Sequence, residues 1–340
     1  MSTDLLGLLP LSALAPALVA ATNDTRWTEV DAELITGGKS NLTFGLSCPA
    51  GELILRRPPT GELLPRAHDM VREARVQEAL AGTAVPTAAI VLVDDGNLLG
   101  FPFYVMEKVP GHVVRGDLPA GYATETDERR AIGEGFVDTL ATLHAVDYEA
   151  IGLADYGRPE GFMARQVRRW TGQWEASRFE PVAEIEELGA RLAAAVPAQQ
   201  RTAIVHGDYR LDNVVLDSTA PGRIAAILDW ELSTLGDPLT DLGLLLLFWR
   251  EEGEPELSLI PGVSHLPGFP SRTQMLARYA ETAGVDLSDM DWYLAFAHFK
   301  FAVIAQGVAA RSRAGAMGGQ DFGDLDAEIL GLGQRGLALL

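Results

Sequence analysis

The sequence predicts an α+β protein in two parts: a strand-rich N-terminal part and a longer, mainly helical C-terminal part. Three observations predict it. Short apolar runs bounded by Gly, Pro, Asn and Asp crowd the chain before Lys108, the pattern of strands and turns. Beyond it, apolar residues recur at spacings of three and four, as in Ile132, Phe136, Leu140 and Leu143, the helical period. A chain of 340 residues is too long for one small core and suits one two-lobed domain or two domains.

The elements follow in order. Leu5 to Ala21 is apolar, yet it carries Asp4 before it, lacks a basic start and is broken by Pro10 and Pro16. It reads as a short docking helix within residues 1–22, not a signal peptide. Val30–Ile35 and Leu42–Leu46 read as strands joined by a turn holding Gly37, Gly38 and Ser40, whose amides could cradle phosphate. Gly38-Lys39-Ser40 copies the end of a Walker A loop, but Glu33 stands where that motif needs glycine, and a strand follows in place of a helix. Glu52–Arg57 is the next strand, stopped by Pro58 and Pro59. Successive strand side chains point to opposite faces, so only one of Arg56 and Arg57 can face a cleft. Arg66–Ala81 has helical composition; Thr87–Val93 and Pro102–Glu107 are strands around an Asp94-Asp95-Gly96-Asn97 turn.

A helix over Asp127–Ala145 follows, with His144 read as a satisfied buried histidine. Gly161–Val196 is helical, with Arg165, Arg168, Arg169 and Arg178 around Trp170 and Trp174. Ala203–Val205, Val214–Leu216 and Ile224–Leu228 are short strands; a polar loop (His206–Asn213) and a Gly/Pro turn (Ser218–Arg223) separate them. Then come an apolar helix (Leu242–Trp249), a loop rich in Glu, Pro and Gly (251–270), and helices over Ser271–Thr282, Asp291–Arg311 and Ala327–Leu340.

The chemistry concentrates at residues 204–231. Asp208, Asn213 and Asp229 sit at the ends of those short strands. They are hard oxygen donors of the kind that hold Mg²⁺ through one or two carboxylates plus substrate phosphates. An acid left free of the metal could orient a hydroxyl proton, which makes a phosphoryl-transfer arrangement.

His206-Gly207-Asp208, then Asn213, then Leu228-Asp229-Trp230-Glu231 resemble the catalytic and metal-binding loops of the aminoglycoside phosphotransferase and choline kinase superfamily. The superfamily is protein-kinase-like. The words VHGDYRLDN and LDWELSTLGDPLTDLG are closest to its branch found linked to acyl-CoA dehydrogenases, and the resemblance runs from about Glu33 to about Gly315. It implies a bilobal kinase-like fold: a nucleotide-binding lobe over 1–108 and a catalytic, substrate-binding lobe over 109–340, with a helical acceptor-pocket insert at about 157–196. It implies ATP and Mg²⁺, without choosing between ATP and GTP.

By the same resemblance Asp208 orients the acceptor hydroxyl, and Asn213 and Asp229 bind metal. Arg210 takes the place of a phosphate-contacting lysine. Arg56 stands where the family carries a lysine on the α- and β-phosphates, a departure that keeps the charge and alters the reach. Glu73 would pair with it, with Glu78 as rival, and Glu107 and Val109 would present hinge backbone to the adenine. His206 and Asp241 would brace the loop, and Glu231 would face a second metal or the pocket. Arg165, Arg168, Arg169 and Trp170 would wall an acceptor pocket that suits an anionic acceptor better than a polycationic one.

Composition narrows the rest. A net charge of −20 argues against non-specific nucleic-acid binding, and one cysteine, Cys48, excludes a disulfide framework or a cysteine zinc site. No uncharged run reaches membrane-spanning length, so the expectation is a soluble cytoplasmic protein, monomer or homodimer, whose partner is a small-molecule hydroxyl acceptor. Three activities compete: an ATP-dependent small-molecule kinase, a nucleotide-binding pseudokinase or regulatory module, and a metal-dependent hydrolase.

Overall fold

The computed structural model describes residues 8–35, 41–60, 68–315 and 322–340. The chain divides into two units, one of residues 1–110 with 225–232 and one of residues 111–224 with 233–340. The expected boundary after residue 108 lies close to the observed one, but a single cut misses the return of 225–232 to the first unit. That segment returns because the Ile227 amide donates to the Pro86 carbonyl at 2.9 Å and Thr87 bridges Ile227 in parallel.

In the first unit, helix α1 (Leu11–Thr22) precedes strands β1 (Asp31–Ile35), β2 (Leu42–Cys48) and β3 (Gly51–Arg57). Helix α2 (Met70–Leu80) and strands β4 (Ile90–Asp95) and β5 (Pro102–Glu107) complete it. The five strands form one antiparallel sheet in the order β1-β2-β3-β5-β4. Strand alternation builds its two faces. Leu53, Leu55, Phe103 and Val105 join Leu14, Leu18, Trp27 and Phe44 in one apolar cluster. Ile54, Tyr104 and Met106 join Met70, Ala74 and Ala88 in the other. Full burial of each such side chain contributes about 1.5–3 kcal/mol, which is what docks α1 on one face and α2 on the other.

The second unit is mainly helical: α3 (Thr126–His144), α4 (Phe162–Ser177) and α5 (Ala183–Ala194), then α6 (Leu239–Phe248), α7 (Arg272–Ala283), α8 (Met290–Arg313) and α9 (Leu325–Leu337). Numbered after β5, its strands are β6 (Ala203–Val205), β7 (Val214–Leu216), β8 (Ile224–Ile227, which crosses into the first unit) and β9 (Thr234–Gly236). Strand β6 pairs antiparallel with β9, Ile204 opposite Leu235. By length and apolar composition α8 could cross a membrane, but it is mostly buried in this unit, packed against α4, α5, α6 and α9. Gly243 lets α6 approach α8 closely, since a Cβ there would lie 2.7 Å from the Tyr293 carbonyl oxygen. The expected Gly161–Val196 helix is two helices, α4 and α5, parted at Arg178–Val182, where Pro181 removes a backbone donor.

Candidate active site

The site residues form two clusters, one in each unit. In the second unit the chain leaves β6 into His206–Asn213, where Gly207 adopts φ +85°, a left-handed turn that glycine makes without strain. Fully buried Asp241, in the first turn of α6, accepts the His206 amide at 2.6 Å and the Gly207 amide at 2.8 Å. Its Oδ2 also meets His144 Nε2 at 3.2 Å, and His144 Nδ1 meets the Tyr279 hydroxyl at 2.7 Å. Burial pushes the His144 imidazole down. Burial works against the Asp241 carboxylate too, but the bonds from His144 and Gly207 outweigh it and hold Asp241 below the usual range.

This loop presents Asp208. Asn213 Nδ2 donates to both the Asp208 backbone oxygen and its Oδ2, each at 2.9 Å. Arg210 Nε donates to the same Oδ2 at 3.1 Å, while its NH1 reaches Asp212 at 2.7 Å. Arg210 thus ties Asp208 to Asp212, whose carboxyl is pushed up by burial with Arg210 opposing. Tyr209 anchors the loop from below: its ring stacks on Phe136 at 4.4 Å and its hydroxyl donates to the Phe136 carbonyl. His206 is buried, and its Nδ1 accepts the Asp208 amide at 3.3 Å.

In the first unit the second cluster centres on Arg56. Alternation along β3 sends Arg57 to the α1 face, where it donates to the Leu8 carbonyl at 2.6 Å and lies 3.5 Å over the Phe101 ring. Arg56 faces the other way, donating to Asp229 at 2.9 Å with Glu73 at 3.7 Å. Asp229 itself adopts φ +62°, a conformation uncommon outside glycine and typical of constrained sites. Burial lowers the Arg56 guanidinium, but Tyr104, Asp229 and Glu73 more than offset it, so it stays charged. Because Arg56 makes its short contact with Asp229, burial prevails at Glu73 and pushes it up to about 7. Glu73 also accepts from Tyr104 and Asn41, each at 3.1 Å, and Asn41 donates to Glu231 at 3.1 Å.

Gly37, Gly38 and Ser40 lie outside the described residues. Glu107 ends β5 with its amide on the Ala89 carbonyl, and Val109 packs on the Ile54–Met106 cluster, an apolar wall beside this stretch of backbone. Glu78 is exposed and is not part of the Arg56 cluster. The arginine wall is only partly assembled. Arg165 turns back to the carbonyls of Arg158 and Glu160 before α4, and Arg178 pairs with Glu186. Arg168 is exposed, and the Arg169 guanidinium lies 5.5 Å over the Trp170 ring. The cause is local: the Arg158 and Glu160 carbonyls, in the segment just before α4, capture the Arg165 fork.

Sequence reasoning missed Lys300, Tyr104 and Asn41. Lys300, on α8, donates from Nζ to the Gly207 carbonyl at 2.9 Å. Its signal was a lysine inside the most apolar helix, a residue type almost never buried without a partner. Tyr104 and Asn41 carried none, because their roles depend on Glu73 and Glu231, which are remote in the chain.

Asn213 commits its amide nitrogen to Asp208, so its side-chain oxygen is the atom left for a hard cation, and Asp229 offers carboxylate oxygens. Among the described residues no group of three or more His, Cys, Asp or Glu could hold a metal ion. Each donor, taken within its own unit, is of the kind that suits Mg²⁺ completed by substrate phosphates and water, and neither belongs to a preformed all-protein metal cage among the described residues.

Residues 31–271 match the family described as "Phosphotransferase enzyme family". The chain is 36% identical over 309 residues to acyl-CoA dehydrogenase family member 11 of Mus musculus, covering 89% of this chain and 39% of that protein. It therefore spans well under half of that relative. Among solved structures, a Ralstonia eutropha protein assigned as an aminoglycoside phosphotransferase matches with TM-score 0.82 and 33% identity, covering 96% of this chain and 97% of that one. A thermostable mutant of aminoglycoside phosphotransferase APH(4)-Ia, in ternary complex with AMP-PNP and hygromycin B, shares the fold at TM-score 0.61 and 15% identity, covering 96% and 97%. The kinase-like fold and the likeness to the acyl-CoA-dehydrogenase-linked branch are both borne out.

Proposed function

Because this chain belongs to the phosphotransferase enzyme family, we propose that it is an ATP- and Mg²⁺-dependent kinase of a small-molecule hydroxyl, with a hydroxy acid or hydroxyacyl-CoA as acceptor. One observation carries the reading. The Asp208 carboxylate is held by Asn213 and Arg210 in a loop whose amides are pinned by a buried carboxylate.

Phosphoryl transfer needs little covalent chemistry from the protein; it needs positioning and charge neutralisation. Asp208 accepts a hydrogen bond from the acceptor hydroxyl and orients its oxygen for attack. Arg56, fixed by Asp229 and Glu73, supplies a permanent positive charge for nucleotide phosphates. The backbone at Glu107 and Val109 meets the adenine edge beside the Ile54–Met106 wall. Asn213 and Asp229 are the residues that would hold Mg²⁺, which supplies neutralisation of phosphate charge when bound. The AMP-PNP complex of the APH(4)-Ia neighbour supports a nucleotide of this type. The acyl-CoA dehydrogenase relatives, with Arg169 beside Trp170, support the acyl acceptor.

A second reading, a nucleotide-binding pseudokinase, is favoured by the 2.9 Å bond that engages Arg56 with Asp229. A single-turnover assay with Mg-ATP and a panel of hydroxy acids, hydroxyacyl-CoAs and aminoglycosides separates the two. The kinase reading requires acceptor-dependent transfer that Asp208→Asn abolishes while nucleotide affinity stays within threefold. Nucleotide binding without transfer to any acceptor would leave the pseudokinase.

A further inference from the structure

We propose that Lys300 is a positioning residue of the phosphotransfer reaction: by holding the Gly207 carbonyl it fixes the Gly207–Asp208 peptide and, through it, the Asp208 carboxylate. The proposal rests on the reading of Asp208 given above.

Lys300 is one of three lysines in the chain and sits mid-way along α8, where Phe296, Ala297, Phe299, Phe301 and Val303 are buried around it. Only 7% of its surface is exposed. Burying an ammonium costs several kcal/mol unless it is paired and hydrogen-bonded, and a methionine would fill the same space without that penalty. Packing alone therefore does not account for a lysine here. Its Nζ donates to the Gly207 carbonyl at 2.9 Å and lies 5.6 Å from the centre of the Trp170 ring, within cation–π range. Burial pushes the ammonium down, Asp208 and Asp241 oppose that, and Arg169 adds to it.

The backbone accounting of the loop shows what this bond adds. Asp241 takes the amides of His206 and Gly207, and His206 Nδ1 takes the amide of Asp208. Lys300 supplies a bond to the Gly207 carbonyl, which shares one rigid peptide plane with the Asp208 amide. That plane leads directly into the Asp208 Cα. Gly207, at φ +85°, has the backbone freedom that would let the plane rotate if the carbonyl were released. A rotation there swings the carboxylate away from the geometry that near-attack alignment demands, where an error of about 1 Å costs on the order of a hundredfold in rate.

The test uses the full chain with Lys300→Met, Lys300→Arg and Trp170→Leu. Two readouts are taken: single-turnover kinetics per folded molecule, and exchange of the Asp208 amide followed in selectively ¹⁵N-aspartate-labelled protein. Lys300→Met is expected to lower the transfer rate by 30- to 100-fold, with acceptor KM and nucleotide Kd within threefold, and to speed Asp208 amide exchange at least tenfold. Lys300→Arg, which keeps a charged donor, is expected to recover most of the rate. A merely structural lysine would instead speed exchange throughout α8 and leave the rate per folded molecule alone. That pattern, or an unchanged Asp208 amide, overturns the proposal. Should Lys300→Met fail to fold, Trp170→Leu decides by exchange: removing the ring beside the ammonium is expected to speed Asp208 amide exchange at least threefold and to slow transfer with acceptor KM within threefold, and an unchanged Asp208 amide overturns the proposal. A wild-type chain that transfers to no acceptor would defeat the proposed function, while the exchange readout would still judge Lys300.

Discussion

Replacing Asp241 by Asn changes almost no volume but removes the charge that organises the His206–Asn213 loop. The carboxylate accepts the His206 and Gly207 amides with separate oxygens and meets His144 with Oδ2. An asparagine keeps one oxygen, so one amide must face an NH₂ group in a fully buried site. Hydrogen bonds to charged groups are worth about 1.5–3 kcal/mol, and an unsatisfied buried donor costs about 1–3 kcal/mol more. The expected loss is about 3–5 kcal/mol, a large share of the roughly 5–15 kcal/mol that stabilises a typical fold. Opening of the loop should then be favoured by roughly a hundredfold or more, at about 1.4 kcal/mol per tenfold. Native-state hydrogen exchange at His206 and Gly207 reads this directly, together with the denaturant midpoint. Amide exchange within twofold of wild type, with an unchanged midpoint, would refute the idea that the Asp241 carboxylate carries the loop.

Four further outcomes follow from the same geometry. Glu73 has a folded pKa of about 7 against an ordinary 4.5, so its proton stabilises the fold below pH 4.5 and that contribution is lost as pH rises towards 7. The span is about 3 kcal/mol at 1.36 kcal/mol per unit; comparing denaturation midpoints at pH 5 and pH 8, Glu73→Gln should show a flatter dependence than wild type. The sign reverses at His144, depressed below 6.5: stability is present above about pH 6.5 and declines as pH falls, because the unfolded chain takes up the proton first, and His144→Gln should flatten that acid limb. Arg56→Met leaves Glu73 and Asp229 without their cation and should cost about 3–5 kcal/mol, whereas Arg56→Lys should lose less than half of that by chemical denaturation. Gly243→Ala puts a methyl 2.7 Å from the Tyr293 carbonyl and should cost about 1–3 kcal/mol through overpacking of α6 on α8.

Much of this molecule was readable from local pattern. The β6–loop–β7 segment, the turn after Leu216 and the strand leading to Asp229 occur where the apolar runs and the Gly/Pro punctuation put them, since strand and turn chemistry is set within a few residues. The alternation on β3 correctly separates Arg56 from Arg57 by face, because the side-chain period of a strand is two. The resemblance of VHGDYRLDN to a known catalytic loop pointed to the right family for the same reason: the word is contiguous.

What tertiary structure decided was pairing across long sequence separations. Nothing near Lys300 in the chain indicates that its ammonium meets Gly207, 93 residues away. Nor does the sequence reveal that Arg56 favours Asp229 over Glu73, leaving Glu73 to its burial. The arginines of α4 show the same limit: helical spacing put them on the right segment, but nearby groups decided the rest, carbonyls before α4 taking Arg165 and the Trp170 ring meeting Arg169. Local propensity specifies elements, whereas the partner of a buried charge is chosen by which groups the packed core brings within about 3 Å, and only the folded chain holds that information.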